Sequence, residues 1–182
     1  MNPILYPKRF LTMKSFSKLA CFISLLAFTS LSNALPSDRN QPIEIDAERA
    51  ERNDKTGVTT FIGNATLTQG TLKISADSIR VKQNPSGVDN IVAEGQPAKF
   101  QQQPEANEPL VKAEAEKILY SVAKETVNLS VNAQIDRGDG STINSDSIDY
   151  DIRESHSVAS GDSGVKIVIQ PQTEENSGNE QQ

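Results

Sequence analysis

The 182-residue sequence contains one cysteine, one histidine and no tryptophan. Cys21 lies in an apolar N-terminal run, so the chain beyond it has no thiol for disulfide bonds, thiolate metal sites or thiol chemistry. His156 has no second imidazole with which to bind a metal and no neighbouring partner for a catalytic triad. We therefore predict a protein that is not an enzyme and that uses no metal or other cofactor.

The first 34 residues have the pattern of a secretory signal peptide. Lys14 and Lys18 precede an apolar run from Leu19 to Leu31, and Ser32-Asn33-Ala34 supplies the small residues of a cleavage site. The run is short for a membrane span. A translation start at Met13 fits this signal best. We predict that residues 1–34 are removed during export.

The charge of the exported part is strongly negative. Residues 1–34 carry four basic residues and no acid, so their removal changes the formal charge from −6 to −10. Nucleic acids and anionic membrane surfaces are bound through lysine and arginine that neutralise phosphates. A nucleic-acid partner is therefore not expected.

Apolar residues alternate along the chain with a period of two. Leu72, Ile74 and Ala76 share one face of an extended segment, the odd positions of 127–135 form another such face, and Val165, Ile167 and Ile169 form a third. Turn residues rich in Gly, Pro, Asn and Asp separate these segments. The pattern predicts an all-β domain over 35–169, an open antiparallel roll of two curved sheets that face each other across an aliphatic slot. The polar stretch 170–182 is predicted to be a disordered tail.

A short motif recurs between the strands: a small residue followed by an acid. It occurs at Ala47-Glu48, Ala76-Asp77, Ala115-Glu116 and Ser145-Asp146. The motif suits a corner at which a strand passes from one sheet to the other, with the small side chain inside and the carboxylate in water. These acids then need no catalytic role.

The segments 41–45, 58–77, 95–100 and 127–133 resemble the LptA/OstA family of periplasmic lipopolysaccharide-transport proteins, and the resemblance extends over about 41–169. It implies an open β-jellyroll in the periplasm whose groove shields the acyl chains of lipid A. It also implies head-to-tail self-association by strand addition, an LptC-like anchor at the inner membrane and an LptD-like translocon at the outer membrane.

Particular residues follow from this resemblance. Those expected to line the lipid groove are Ile43, Ile45, Phe100, Tyr120 and Val122. Those expected at the edges that meet a partner or another copy are Pro42, Ile43, Ile45, Val165, Ile167 and Ile169. Arg39 precedes the matching segment and departs from the small polar residue of the family.

Two other interpretations remain open on the sequence alone. A carbohydrate-binding protein would need aromatic surface to stack sugars, and aromatic residues are only 5% of the chain. A structural β-repeat protein of the cell envelope would need neither lipid affinity nor partner-facing edges. Binding of an acyl-chain probe distinguishes both from a lipid carrier.

Overall fold

The computed structural model describes residues 38–105 and 107–171. The predicted signal peptide and residues 172–182 of the predicted tail lie outside this range. A 3₁₀ turn, Asp38–Asn40, precedes ten strands. The strands are β1 (Glu44–Asp46), β2 (Arg49–Asn53), β3 (Val58–Gln69), β4 (Leu72–Asn84), β5 (Gly87–Gln102), β6 (Val111–Ser121), β7 (Thr126–Asp136), β8 (Thr142–Asp151), β9 (His156–Ser160) and β10 (Lys166–Val168). Over the described residues, no helix is long and apolar enough to cross a membrane.

All strand pairs are antiparallel, and the six long strands β3 to β8 follow one another as neighbours in the sheet. Short strands flank them at each end. β1 and β2 both pair with β3, whereas β9 and β10 both pair with β8. Each long strand therefore has two halves, and each edge of the sheet consists of two short strands, one beside each half.

The sheet is folded into two layers along a line of irregularities. Pairing shifts register between Ile62 and Ala65 in β3, and again at residues 75–78, 94–98, 114–117 and 130–133 of the following strands. Phe100 pairs with Ala113 on one side of this line, while Tyr120 lies seven residues farther along β6. A flat sheet would hold the two rings about 23 Å apart. Their centroids are 6.1 Å apart, so the two halves face each other.

We call the half that contains β1 and β10 the first layer and the half that contains β2 and β9 the second layer. The side on which the strands bend is the corner line. The opposite side, where hairpin turns of the two layers approach each other, is the mouth. The prediction of an all-β, open antiparallel roll of two facing sheets is confirmed.

The small-residue-plus-acid motif lies at the corner line, as the sequence predicted, but the small side chain is not always inside, since that of Ala47 is exposed. Ala115 is fully buried, whereas Glu116 is exposed and its Oε1 accepts a hydrogen bond of 2.8 Å from the Asn132 side chain of the next strand. Glu48 accepts an equivalent bond of 2.6 Å from Asn64. These two acids connect neighbouring corners, because each accepts a hydrogen bond from an asparagine side chain on the adjacent strand.

One corner holds a β-branched residue in a conformation that favours glycine. Val131 has a φ of 66° and its side chain is 51% exposed, while the equivalent corner of β3 places Gly63 at a φ of 83°. A valine in the left-handed region is strained, and this one buries little apolar surface in return.

Val131→Gly is therefore expected to raise the free energy of unfolding by about 1 kcal/mol, since the relieved strain exceeds the added chain entropy of the unfolded state. Chemical denaturation measures it. The matched control is Gly63→Val, which should destabilise the fold, because a Cβ there would overlap the Glu48 side chain. A loss of stability in Val131→Gly would show that the exposed valine contributes packing.

Candidate functional site

The inner face of the first layer carries a row of apolar residues that runs from one edge to the other. Each member is the register partner of the next across all eight strands. The row is Ile45, Leu67, Ile74, Phe100, Ala113, Ile135, Ile143 and Ile167. At a strand spacing of about 4.8 Å it is roughly 34 Å long.

The second layer has a matching row on its own inner face, again in register from edge to edge. It is Ala50, Phe61, Ile79, Ala93, Ile118, Leu129, Ile148 and Ala159. Most members of the two rows belong to one continuous apolar cluster. The space between the layers is therefore lined by apolar side chains over its whole length, with no charged member in either row.

The structure brings the five predicted groove residues to this inner surface. Phe100 and Tyr120 are each 2% exposed and their rings contact each other at 59°, one from each layer. Ile43, Ile45 and Val122 are partly buried and pack against the same cluster. Ile45 begins the row of the first layer, whereas Val122 lies just beyond β6 at the mouth.

The expectation of an unfilled slot is wrong for this conformation. Between the edges of the sheet the side chains that line the interior are closed to water, and those at 0% exposure include Leu67, Ile74, Ile79, Ile118 and Leu129. The physical reason is that two facing aliphatic surfaces minimise exposed apolar area by packing against each other. A molecule can lie between the layers only if the two layers separate.

Side-chain contacts bridge the mouth. Arg39 Nη1 lies 2.7 Å from Glu125 Oε1, and Arg39 Nη2 donates to the carbonyl of Val122 at 3.0 Å, both in the β6–β7 turn of the second layer. Farther along, Arg137 Nη2 donates to the carbonyl of Ser155 at 3.0 Å. Arg137 follows β7 in the first layer and Ser155 precedes β9 in the second. Two arginines of the first layer thus join it to the second.

Asp38 fixes the segment that carries Arg39. Its carboxylate accepts hydrogen bonds from the Thr71 backbone at 2.8 Å, from the Thr71 hydroxyl at 2.6 Å and from the Gln102 side chain at 3.0 Å. Thr71 lies in the β3–β4 turn of the first layer. The 3₁₀ turn is therefore anchored on one layer while Arg39 reaches the other.

The polar end of Tyr120 lies close to these charges. Burial raises the pKa of Tyr120 to about 12, the charge of Glu125 adds to the rise and that of Arg39 opposes it. The buried Tyr120 ring therefore lies next to the Arg39–Glu125 ion pair, at the boundary between the apolar interior and the charged mouth.

The edge residues predicted from the sequence lie at opposite ends of the sheet. Pro42 is exposed, and Ile43 and Ile45 are half-buried at the β1 end. At the other end the exposed side chains are those of Val165 (46%), Ile167 (57%) and Ile169 (75%). Ile167 pairs with buried Ile143, so the apolar row of the first layer ends at the β10 edge in the exposed side chain of Ile167.

Sequence reasoning missed Asp38, Glu125, Arg137 and Ser155 as residues of the mouth. Arg39 and Val122 are 83 positions apart, and neither lies in a local pattern that indicates the other. The one available signal was the departure of Arg39 from the family pattern.

The fold and the site define a class: a folded antiparallel sheet with a continuous apolar interior and a mouth closed by side chains, in which the described residues add no further strand beyond either edge. The family model described as "LptA/(LptD N-terminal domain) LPS transport protein" matches residues 44–156. The chain belongs to this family.

Similar proteins carry names of the same transport system. The lipopolysaccharide export system protein LptA of Escherichia coli K12 is 34% identical over 161 residues, 87% of this chain and 86% of that protein. LptH of Pseudomonas aeruginosa is 35% identical over 124 residues, 68% of this chain and 70% of that protein. The crystal structure of LptH, described as the LptA-homologous periplasmic component of the lipopolysaccharide transport device, superposes with a TM-score of 0.70 at 32% identity, covering 75% of this chain and 100% of that one.

Proposed function

We propose that this protein carries lipopolysaccharide through the periplasm, with the acyl chains of lipid A held between the two layers. The observation that carries the proposal is the pair of in-register apolar rows that run from edge to edge. Membership in a lipopolysaccharide-transport family supports the same ligand.

The energetics require such a surface. An acyl chain of about a dozen CH₂ groups exposed to water costs on the order of 10 kcal/mol, at roughly 0.8 kcal/mol per group. Aliphatic walls remove most of this cost. Because equivalent side chains recur at each strand, neighbouring positions along a row have similar energies, so the lipid can move without a deep trap.

Lipid entry requires the closed layers to part, and the mouth is the side that can open. Each long strand is continuous through the corner line, which acts as the hinge side. The mouth is held by Arg39 and Arg137 through hydrogen bonds and an ion pair. On opening, each layer exchanges its packing against the other layer for packing against the acyl chains.

The edges are proposed to join proteins head to tail. Among the strands of the described residues, β1 and β2 pair only with β3, and β9 and β10 pair only with β8, so an edge can receive a strand from a neighbour. Since the two ends differ, the contact is heterologous and propagates into a chain of copies. An LptC-like anchor is assigned to the β1 edge and an LptD-like translocon, or another copy, to the β10 edge.

The rest of the predicted organisation is part of the same proposal. Residues 1–34 direct export and are removed, residues 35–169 form the lipid-binding domain, and residues 170–182 form the tail. The periplasm is the compartment in which such a carrier acts, and the transport relatives give no reason to assign an enzymatic activity or a cofactor.

The test compares intact lipopolysaccharide with the same polysaccharide after its lipid A has been cleaved off. The purified protein is expected to bind the intact molecule and to release an acyl-chain fluorophore, because the ligand surface is aliphatic. The free polysaccharide should have no effect. Equal binding of both would support the carbohydrate-binding alternative, and no binding of either would support the structural one.

A further inference from the structure

The orientation of a bound lipid follows from the fold and rests on the proposed function. Acyl chains between the layers leave the polar headgroup in water. The corner line is closed by continuous strands, so the headgroup of a lipid in the middle of the protein projects through the mouth. Charged residues at the mouth are therefore placed to contact it.

One carboxylate at the mouth is held between two guanidinium groups. Glu125 Oε1 is 2.7 Å from Arg39 Nη1, and Glu125 Oε2 is 3.6 Å from Arg153 Nε. The Glu125 side chain is only 17% exposed, whereas those of Arg39 and Arg153 are 49% and 57% exposed. Glu125 has a φ of 56°, and its carbonyl accepts a hydrogen bond of 3.0 Å from the Ile152 backbone, which fixes the turn.

Two nearby acids, Asp38 and Asp151, accept hydrogen bonds from uncharged groups. Asp38 accepts three hydrogen bonds from Thr71 and Gln102, and Asp151 accepts the backbone N–H groups of Arg153 and Glu154 at 3.0 and 3.1 Å. Within the described part of the chain, Glu125 is the carboxylate that forms ion pairs with both arginines. Two guanidiniums therefore share one carboxylate, and each keeps N–H groups that Glu125 does not occupy.

We propose that Arg39 and Arg153 form the subsite for a phosphate of the lipid headgroup, and that Glu125 occupies this subsite as an internal anion when no lipid is bound. Guanidinium binds phosphate oxygens through paired, charge-assisted hydrogen bonds. Opening the mouth for acyl chains separates Arg39 from Glu125 and from the Val122 carbonyl. A phosphate on the entering lipid restores partners to Arg39, so entry of the tails and binding of the headgroup assist each other.

The experiment measures the affinity of the full-length mature protein for lipid A that carries its phosphates and for chemically dephosphorylated lipid A with the same acyl chains. The wild type is expected to prefer the phosphorylated form by about 10-fold. Arg39→Gln and Arg153→Gln should each reduce this preference, and the double variant should bring it to about one. Arg39→Lys keeps the charge but not the planar guanidinium, so its preference for the phosphorylated form should lie between those of the wild type and Arg39→Gln.

Two further variants sharpen the result. Glu125→Gln removes the internal competitor and should increase the preference for the phosphorylated form. The control is Arg80→Gln, because Arg80 is 47% exposed and pairs with Glu94 at 3.7 Å on the outer face of β4. It removes the same charge at similar exposure and should leave the preference unchanged.

Inorganic phosphate distinguishes a headgroup from a free anion. Millimolar phosphate should neither protect the protein against thermal unfolding nor displace lipid. A strong effect of free phosphate would overturn the assignment to a lipid headgroup. Equal affinity for both lipids in the wild type, or an unchanged preference in the double variant, would also overturn it while leaving the carrier function intact. Failure to bind either lipid would instead refute the proposed function itself.

Discussion

Replacing Ile167 and Ile169 together with lysine is expected to weaken self-association at least about 100-fold and to leave the fold intact. Both side chains are more than half exposed at the β10 edge, so their replacement removes little packing within one copy. Burying two isoleucines in a contact stabilises it by about 3 kcal/mol or more, and lysine on an edge strand opposes pairing. Sedimentation velocity across a concentration series measures the change.

The matched control is Ile62→Lys. Ile62 is 39% exposed, but it lies in β3, which is paired on both sides by β2 and β4. The same substitution there changes surface hydrophobicity and charge without altering an edge. Equal loss of association in both variants would indicate a contact through the sheet surface instead of the edge.

The direction of assembly gives a sharper outcome. The edge variant keeps its β1 and β2 strands, so it should still accept the β10 edge of a wild-type copy. Mixtures are therefore expected to contain chains that end at the variant, and their mean length should fall as the variant fraction rises. Closed pairs of variant molecules would contradict a heterologous contact.

The strands and corners were predictable because their signals are local. A period of two identifies a half-buried strand within a few residues, and a small residue followed by an acid marks the bends at Ala115-Glu116 and Ala76-Asp77. Phe100 and Tyr120 were assigned to the groove by resemblance, and the structure buries both. What their ligand is, and whether they touch it, stays a prediction.

The mouth and the closure of the layers were not predictable in this way. The Arg39–Glu125 pair and the Arg137–Ser155 hydrogen bond depend on how the whole sheet folds over, which no short window of sequence encodes. The continuous apolar rows could be predicted only if the register of every strand pair were known together. The sequence also suggested an unfilled interior from its scarcity of aromatics, but aliphatic side chains fill the space because the two layers pack directly against each other.

The most direct measurement of the central claim is photo-crosslinking to lipopolysaccharide in cells, with a photoreactive residue at one position at a time. Ile45, Phe100 and Tyr120 are placed on the inner surface, so groups there are expected to capture lipid. Lys73 and Lys112 are exposed on the outer face of the same sheet. Groups at these two lysines should capture none.

The two lysines are close controls for Phe100. They directly precede Ile74 and Ala113, which are the register partners of Phe100 on its two neighbouring strands. A single step along a strand moves a side chain to the opposite face, so the comparison isolates the face of the sheet from the position along it. Capture at the three inner positions and at neither lysine is the result that lipid between the layers predicts. Capture of equal strength on both faces, or on the outer face alone, would contradict it.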